Sequence, residues 1–159
     1  MDSPEHAPGE ERALAAVTAY GISVEVTRNR PAKTLEEAAA VRGVRPGDII
    51  KTLVVRRADE DFLFVLVPGD RKFSWPKLRS LLGTNRLSMP DAAVAKEVTG
   101  YERGTITPFG SSRAWPVVAD RTVAGRTISM GGGAHGVGLT LSGDDVVRVL
   151  DAWVADISD

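Results

Sequence analysis

The chain has 159 residues, 43% of them hydrophobic and 26% charged, with nine prolines, sixteen glycines and a formal net charge of −1; a chain of this size buries about two-thirds of the surface it exposes unfolded, so it needs no staple. Without cysteine there is no disulfide scaffold, thiol nucleophile or thiolate metal site, and His6 and His135 alone exclude a histidine-rich metal cluster. The longest apolar run, Phe62 to Val67, stops at Pro68-Gly69, far short of the roughly twenty residues of a membrane helix, and the acidic start Met1 to His6 lacks a secretory pattern, so the expected compartment is the cytoplasm.

In chain order, residues 10–20 place Leu14, Val17 and Tyr20 among alanines before Gly21, a helix with a glycine stop. Ile22 to Val26 alternates as a strand. Thr34-Leu35-Glu36-Glu37 has the T-x-x-E pattern of a capping box and opens a helix that Gly43 closes. Ile49–Val55 and Phe62–Val67 are β-rich runs joined by the acidic Ala58 to Asp61, a hairpin. Ser74-Trp75-Pro76 starts a helix ending at Gly83, and Ser88 to Asp91 starts another ending at Gly100. Short strands are predicted at 105–107, 117–119, 127–130 and 137–141. Ser142 caps a final helix with Asp144 and Asp145 in its first turn and Val146, Leu150, Trp153, Val154 and Ile157 on one face. With no repeat and no long linker, one α/β domain of the α+β type is expected over residues 1–159: a mixed, mostly antiparallel sheet flanked by helices.

Charge is unevenly placed. Residues 28–86 carry thirteen Lys or Arg against seven Asp or Glu, whereas residues 143–159 carry one Arg against five Asp. The first region can face phosphate, although a solvated surface gives the same count.

Three segments can carry chemistry. Lys51 stands inside the strand Asp48 to Val55, on the side of Ile49, Leu53 and Val55, where an ammonium is costly unless it is used on a ligand or its stem lies along an edge; Thr52 points the other way. The loop Thr99 to Gly110 holds Gly104 and Pro108 between helix and strand, so a free N–H at Gly104 can act as an oxyanion-type donor. Gly131 to Gly138 formally contains G-x-G-x-x-G, but a strand follows where a dinucleotide fold needs a helix, and Val137 stands where a Walker lysine would be. It reads as a tight hairpin with His135 at its tip.

Taken together, Lys51-Thr52-Leu53-Val54, then Thr99-Gly100-Tyr101 leading to Gly104-x-x-x-Pro108-Phe109-Gly110, then Gly131-Gly132-Gly133 before a strand and a closing helix, resemble the YbaK/ProX family of aminoacyl-tRNA deacylases. The family includes free-standing trans-editing proteins and the editing domain of bacterial prolyl-tRNA synthetases, and the resemblance runs from about Ile22 to the last helix. It implies hydrolysis of the ester on a mischarged tRNA, a proline tRNA bearing Cys, Ala or Ser, with the tRNA acceptor end and a prolyl-tRNA synthetase as partners, and neither cofactor, metal nor membrane. Carried over, Lys51 holds the terminal phosphate or ribose and Gly104 offers its N–H to the ester carbonyl. Thr52, Thr107, Pro108 and Phe109 bind substrate or fix the loop, and Gly131, Gly132 and Gly133 form the opposite wall. Water or a substrate group is the nucleophile. Some members have an acidic residue where this chain has Gly138 and an aromatic near Thr27-Arg28-Asn29, so the amino acid removed stays open. A non-catalytic nucleotide- or synthetase-binding module of the same fold and a small esterase acting on esters not borne by tRNA are the alternatives.

Overall fold

Residues 8–159 are described by a computed structural model; residues 1–7, which include the acidic start Met1 to His6, lie outside them. In chain order the elements are α1 (Pro8–Ala19), β1 (Val24–Arg28), α2 (Leu35–Arg42), β2 (Ile49–Ala58), β3 (Asp61–Pro68), α3 (Trp75–Leu82), α4 (Ala92–Thr99), β4 (Val117–Asp120), β5 (Thr127–Gly131), β6 (Val137–Ser142), α5 (Gly143–Val149) and β7 (Trp153–Ala155). All seven strands join one sheet in the order β1-β6-β5-β2-β3-β4-β7. The long ladders, β1 with β6, β6 with β5 and β2 with β3, are antiparallel; the short ones, β2 with β5, β3 with β4 and β4 with β7, are parallel. This is the mixed, mostly antiparallel sheet expected from the order of elements.

Period-two alternation divides the side chains between two layers. One face of the sheet gives Ile50, Val54, Phe64, Leu66, Ile128, Met130, Leu139 and Leu141 to a large core closed by Ala13 and Val17 of α1, Val94 and Val98 of α4 and Val146 of α5. The other gives Val55, Leu63, Val65 and Val67 to a smaller core under Leu78 of α3. The β3 run Phe62 to Val67 is buried on both sides, which explains why it reads as a continuous apolar stretch.

The helix boundaries follow the local signals. The Oγ1 of Thr34 accepts from the Glu37 N–H at 3.0 Å, Ser74 from Lys77 at 3.3 Å and Asp91 from Val94 at 2.9 Å, each satisfying an N–H that has no partner within its helix. The capping box at Thr34 is only half formed among the described residues, because Glu37 returns no bond to the Thr34 N–H.

Two expectations are corrected. Residues 105–107 form no strand: they belong to a loop whose Thr105 carbonyl accepts from the Gly133 N–H at 3.1 Å. The last helix ends at Val149, and the chain turns through Asp151 at φ 50° into β7 beside β4. Trp153 and Val154 are therefore exposed on an edge strand, while Ile157 enters the smaller core on the other side of the sheet. The buried Asp120 fixes this path, its Oδ1 accepting from the Ile157 N–H at 3.0 Å and its Oδ2 from the Thr122 hydroxyl at 2.6 Å.

Candidate functional site

The sheet is split. β2 and β5 pair only at Ile49 with Ser129 and Ile50 with Met130, while β2 runs on along β3 to Ala58. Past Ile50 the space beside β2 is taken by the loop around Gly104 to Ile106, which lies against the end of β5: a Cβ on Gly131 would sit 3.2 Å from the Ile106 carbonyl oxygen. Between β2 and this loop lies a cavity of about 530 Å³.

In an antiparallel pair, alternate residues turn their backbone groups to opposite edges. The Ile49 carbonyl accepts from Gly69 on the β3 side, and Arg56 exchanges both bonds with Ser88 on the far side, its N–H donating at 2.7 Å. Thr52 and Val54 are in phase with Arg56, so their N–H and C=O groups face the split. The Oγ1 of Thr52 is buried and has no hydrogen-bond partner. The N–H groups of Gly104 and Ile106 donate to no described residue. Of these groups the Thr52 hydroxyl is buried while Gly104 is exposed, and a buried hydroxyl without a partner at the edge of an apolar cavity marks a ligand site, because buried polar groups are otherwise satisfied.

The predicted residues Lys51, Thr52, Gly104 and Gly131 all line this cavity. Lys51 and Thr52 lie on opposite faces of β2 yet reach one space, because the cavity passes through the split. Lys51 is exposed and makes no ion pair among the described residues. Gly104 has φ +90°, a conformation that L side chains rarely adopt. Ile50, Val54, Ala95 and Ile106 supply the apolar part of the lining.

The other predicted residues are seated elsewhere. Thr107 is buried, and its Oγ1 accepts from the Phe109 N–H at 3.4 Å. Phe109 lies in the main core, its carbonyl accepting from the Tyr101 hydroxyl at 2.6 Å. Pro108 lines a separate cavity with Tyr20, Trp115 and Trp153. The Gly132 N–H donates to Val137 at 3.0 Å and that of Gly133 to Thr105, so both amides hold the hairpin and its neighbouring loop. These residues fix the loop that carries Gly104, but they do not line the split.

Sequence reasoning missed Arg42, Arg103, Arg30 and the placing of His135. Arg42, at the end of α2, lines the large cavity and also an adjoining one of about 190 Å³ that includes Arg30, Asn29, Gly104 and His135. The two linings contain Arg30, Arg42, Lys51 and Arg103 and no carboxylate. The joined space thus attracts anions although the chain is close to neutral. Glu102 lies just outside, 3.6 Å from His135. No signal in the sequence marks Arg42, since its partners Ser129 and Gly138 come from strands far along the chain. Among the described residues no group of three or more His, Asp or Glu side chains is placed to hold a metal ion, and no helix is long and apolar enough to cross a membrane.

Comparison with known proteins agrees with this architecture. The family model for the aminoacyl-tRNA editing domain matches residues 29–149. The chain is 36% identical over 118 residues to the proline–tRNA ligase of Heliobacterium modesticaldum, covering 72% of this chain and 20% of that protein. The corresponding ligase of Bacillus licheniformis is 36% identical over 91 residues, 57% of this chain and 16% of the ligase. The chain therefore spans a fifth or less of these relatives. Among solved structures, one described as a candidate trans-editing enzyme for prolyl-tRNA synthetase superimposes with a TM-score of 0.86 at 25% identity, over 96% of this chain and 98% of the other. The hypothetical protein APE2540 gives 0.84 at 29% identity, over 93% and 99%. The family match spans most of the chain and includes both walls of the split, and the chain belongs to the aminoacyl-tRNA editing domain family, related to the editing domains of prolyl-tRNA synthetases.

Proposed function

We propose that the protein is an aminoacyl-tRNA deacylase that hydrolyses the ester of a mischarged proline tRNA bearing Ala, Cys or Ser, as a single editing domain acting in the cytoplasm. The observation that carries this reading is the split in the sheet, where an apolar cavity with unused hydrogen-bonding groups opens to four cations and no carboxylate. An ester joining a small amino acid to a polyanion needs both halves of that arrangement.

In this reading Lys51 holds the phosphate or ribose of the terminal adenosine. The ester carbonyl faces the Gly104 N–H, and Thr52 and Gly131 bound the aminoacyl group. Water adds to the carbonyl carbon, and the oxyanion that forms is stabilised by the Gly104 N–H. The intermediate collapses with cleavage of the bond to the ribose oxygen. That oxygen takes a proton originating from the water, releasing free amino acid and a tRNA with its hydroxyl restored. The ribose hydroxyl next to the ester is well placed to orient the water, which suits a cavity lining without His, Asp or Glu. Small substrates fit the lining by Ile50, Val54, Ala95 and Ile106.

The test compares turnover of mischarged proline tRNA with that of a minimal aminoacyl ester as salt rises. Cleavage of the tRNA substrate is expected to fall steeply between 50 and 200 mM salt while the minimal ester is little affected, because releasing counterions from phosphates gives binding its salt dependence. Equal salt dependence of the two contradicts the reading in favour of a plain esterase.

A further inference from the structure

The large cavity does not account for Arg42. Its guanidinium reaches from the last residue of α2 across the sheet, where one terminal nitrogen donates to the Ser129 hydroxyl at 3.3 Å. Ser129 in turn accepts from the Thr140 hydroxyl at 3.0 Å. A Cβ on Gly138 would stand 2.6 Å from the Arg42 Nε, so the guanidinium lies directly over that glycine and a side chain there would move it. Arg42 is half-buried and forms no ion pair among the described residues. Buried guanidinium groups are normally matched by an anion, and here its surroundings supply hydroxyls instead. The smaller cavity that it shares adds Arg30, Asn29 and Thr27, again without a carboxylate. A helix C-terminus does favour an Arg, but that preference is met equally well by a side chain extended into water.

We infer that the smaller cavity, with Arg42 at its junction to the larger one, is a phosphodiester-binding subsite for the single-stranded 3′ end of a nucleic acid. Resting on the proposed deacylase reading, it assigns a second backbone contact in addition to that of Lys51 and sets the direction in which the strand leaves the site: from the split toward the β1–α2 side. Asn29 and the Thr27 hydroxyl lie where a ribose or a second phosphate oxygen would be bonded. The apolar walls of the larger cavity take the aminoacyl group, and the cations of the smaller one take the chain that carries it.

The test is direct binding of the trinucleotide cytidylyl-cytidylyl-adenosine, which has no ester and needs no turnover, alongside adenosine, which has no phosphate. Arg42→Gln is expected to weaken trinucleotide binding about tenfold and to reduce the slope of log K against log salt by about 0.7, leaving adenosine binding unchanged. Arg42→Lys should keep the slope. Gly138→Ala, which displaces the guanidinium without removing it, should behave like Arg42→Gln, and Arg148→Gln on exposed α5 should match wild type. The subsite is overturned if the trinucleotide does not bind at millimolar concentration, if Arg42→Gln binds it as wild type does, or if adenosine loses affinity equally. It is also overturned if the variants change only the release of acidic amino acids, which would make the ligand a carboxylate. Trinucleotide binding that depends on Arg42 in a protein that deacylates nothing would preserve the subsite and remove the enzyme reading; deacylation indifferent to Arg42 would do the reverse.

Discussion

Thr52 has a buried hydroxyl with no partner, on a strand edge whose neighbouring N–H and C=O groups also face the cavity. A buried unsatisfied hydroxyl costs about 1–3 kcal/mol. Thr52→Val is therefore expected to raise thermal stability slightly while lowering deacylation, a split that melting curves and kcat/KM read separately; a loss of stability would mean that the hydroxyl has a structural partner. Gly104 makes a different demand. Its φ of +90° leaves an added Cβ about 3.5 Å from His135 Cε1, so space is available but the backbone is strained. A side chain forced into such a region costs on the order of 1–3 kcal/mol. Gly104→Ala is expected to shift the loop and lower kcat more than tenfold while the core stays folded, with kcat and the melting temperature measured together. That Lys51, Gly104 and Gly131 line the cavity was legible because a charge within a β-run and glycines flanking turns are local signals, whereas Thr52 was drawn in only by the family resemblance. Arg42 was not, because what makes it unusual is Gly138 beneath it.

At the scale of elements, caps and turns agreed with the structure wherever a boundary depended on neighbouring residues: Thr34, Ser74, Asp91 and Ser142 each cap the helix that follows. The C-terminal region departed from its pattern. Val146, Leu150, Trp153, Val154 and Ile157 fit one helical face, yet only the start of that run is helical, because an edge position beside β4 and the Asp120 carboxylate draw the remainder into β7 and beyond. Burial tends to raise the Asp120 pKa, but the hydrogen bonds from Thr122, Ile157 and Ser158 outweigh it and hold it below the ordinary carboxylate value. A group lowered in this way adds stability that is fully present above its unfolded value of about 3.9 and is lost as pH falls through the folded value. Asp120→Asn should thus be less stable than wild type at pH 7, and the gap should narrow as pH drops below 4 in paired denaturation curves. A gap that is constant with pH contradicts this role.

For the whole molecule, the decisive feature is that the sheet does not close. The mixed architecture was legible from the alternation of strand and helix signals, but the split was not, because it depends on a two-residue parallel pairing between strands far apart in sequence. That split turns a nearly neutral chain into one with a locally cationic cleft, and it brings Lys51 and Thr52 from opposite faces into one space. The most direct test is release of labelled amino acid from proline and alanine tRNAs charged with Ala, Cys, Ser or Pro, comparing wild type with Lys51→Ala after its fold has been verified. The expected result is rapid clearance of one mischarged proline tRNA by wild type and a loss of about a hundredfold in the variant, the scale of misplacing the ester when the contact that holds its adenosine is removed. Failure of wild type to clear any of these substrates, even with a prolyl-tRNA synthetase added, or equal clearance by the variant, would contradict the assignment of the split as the deacylation site.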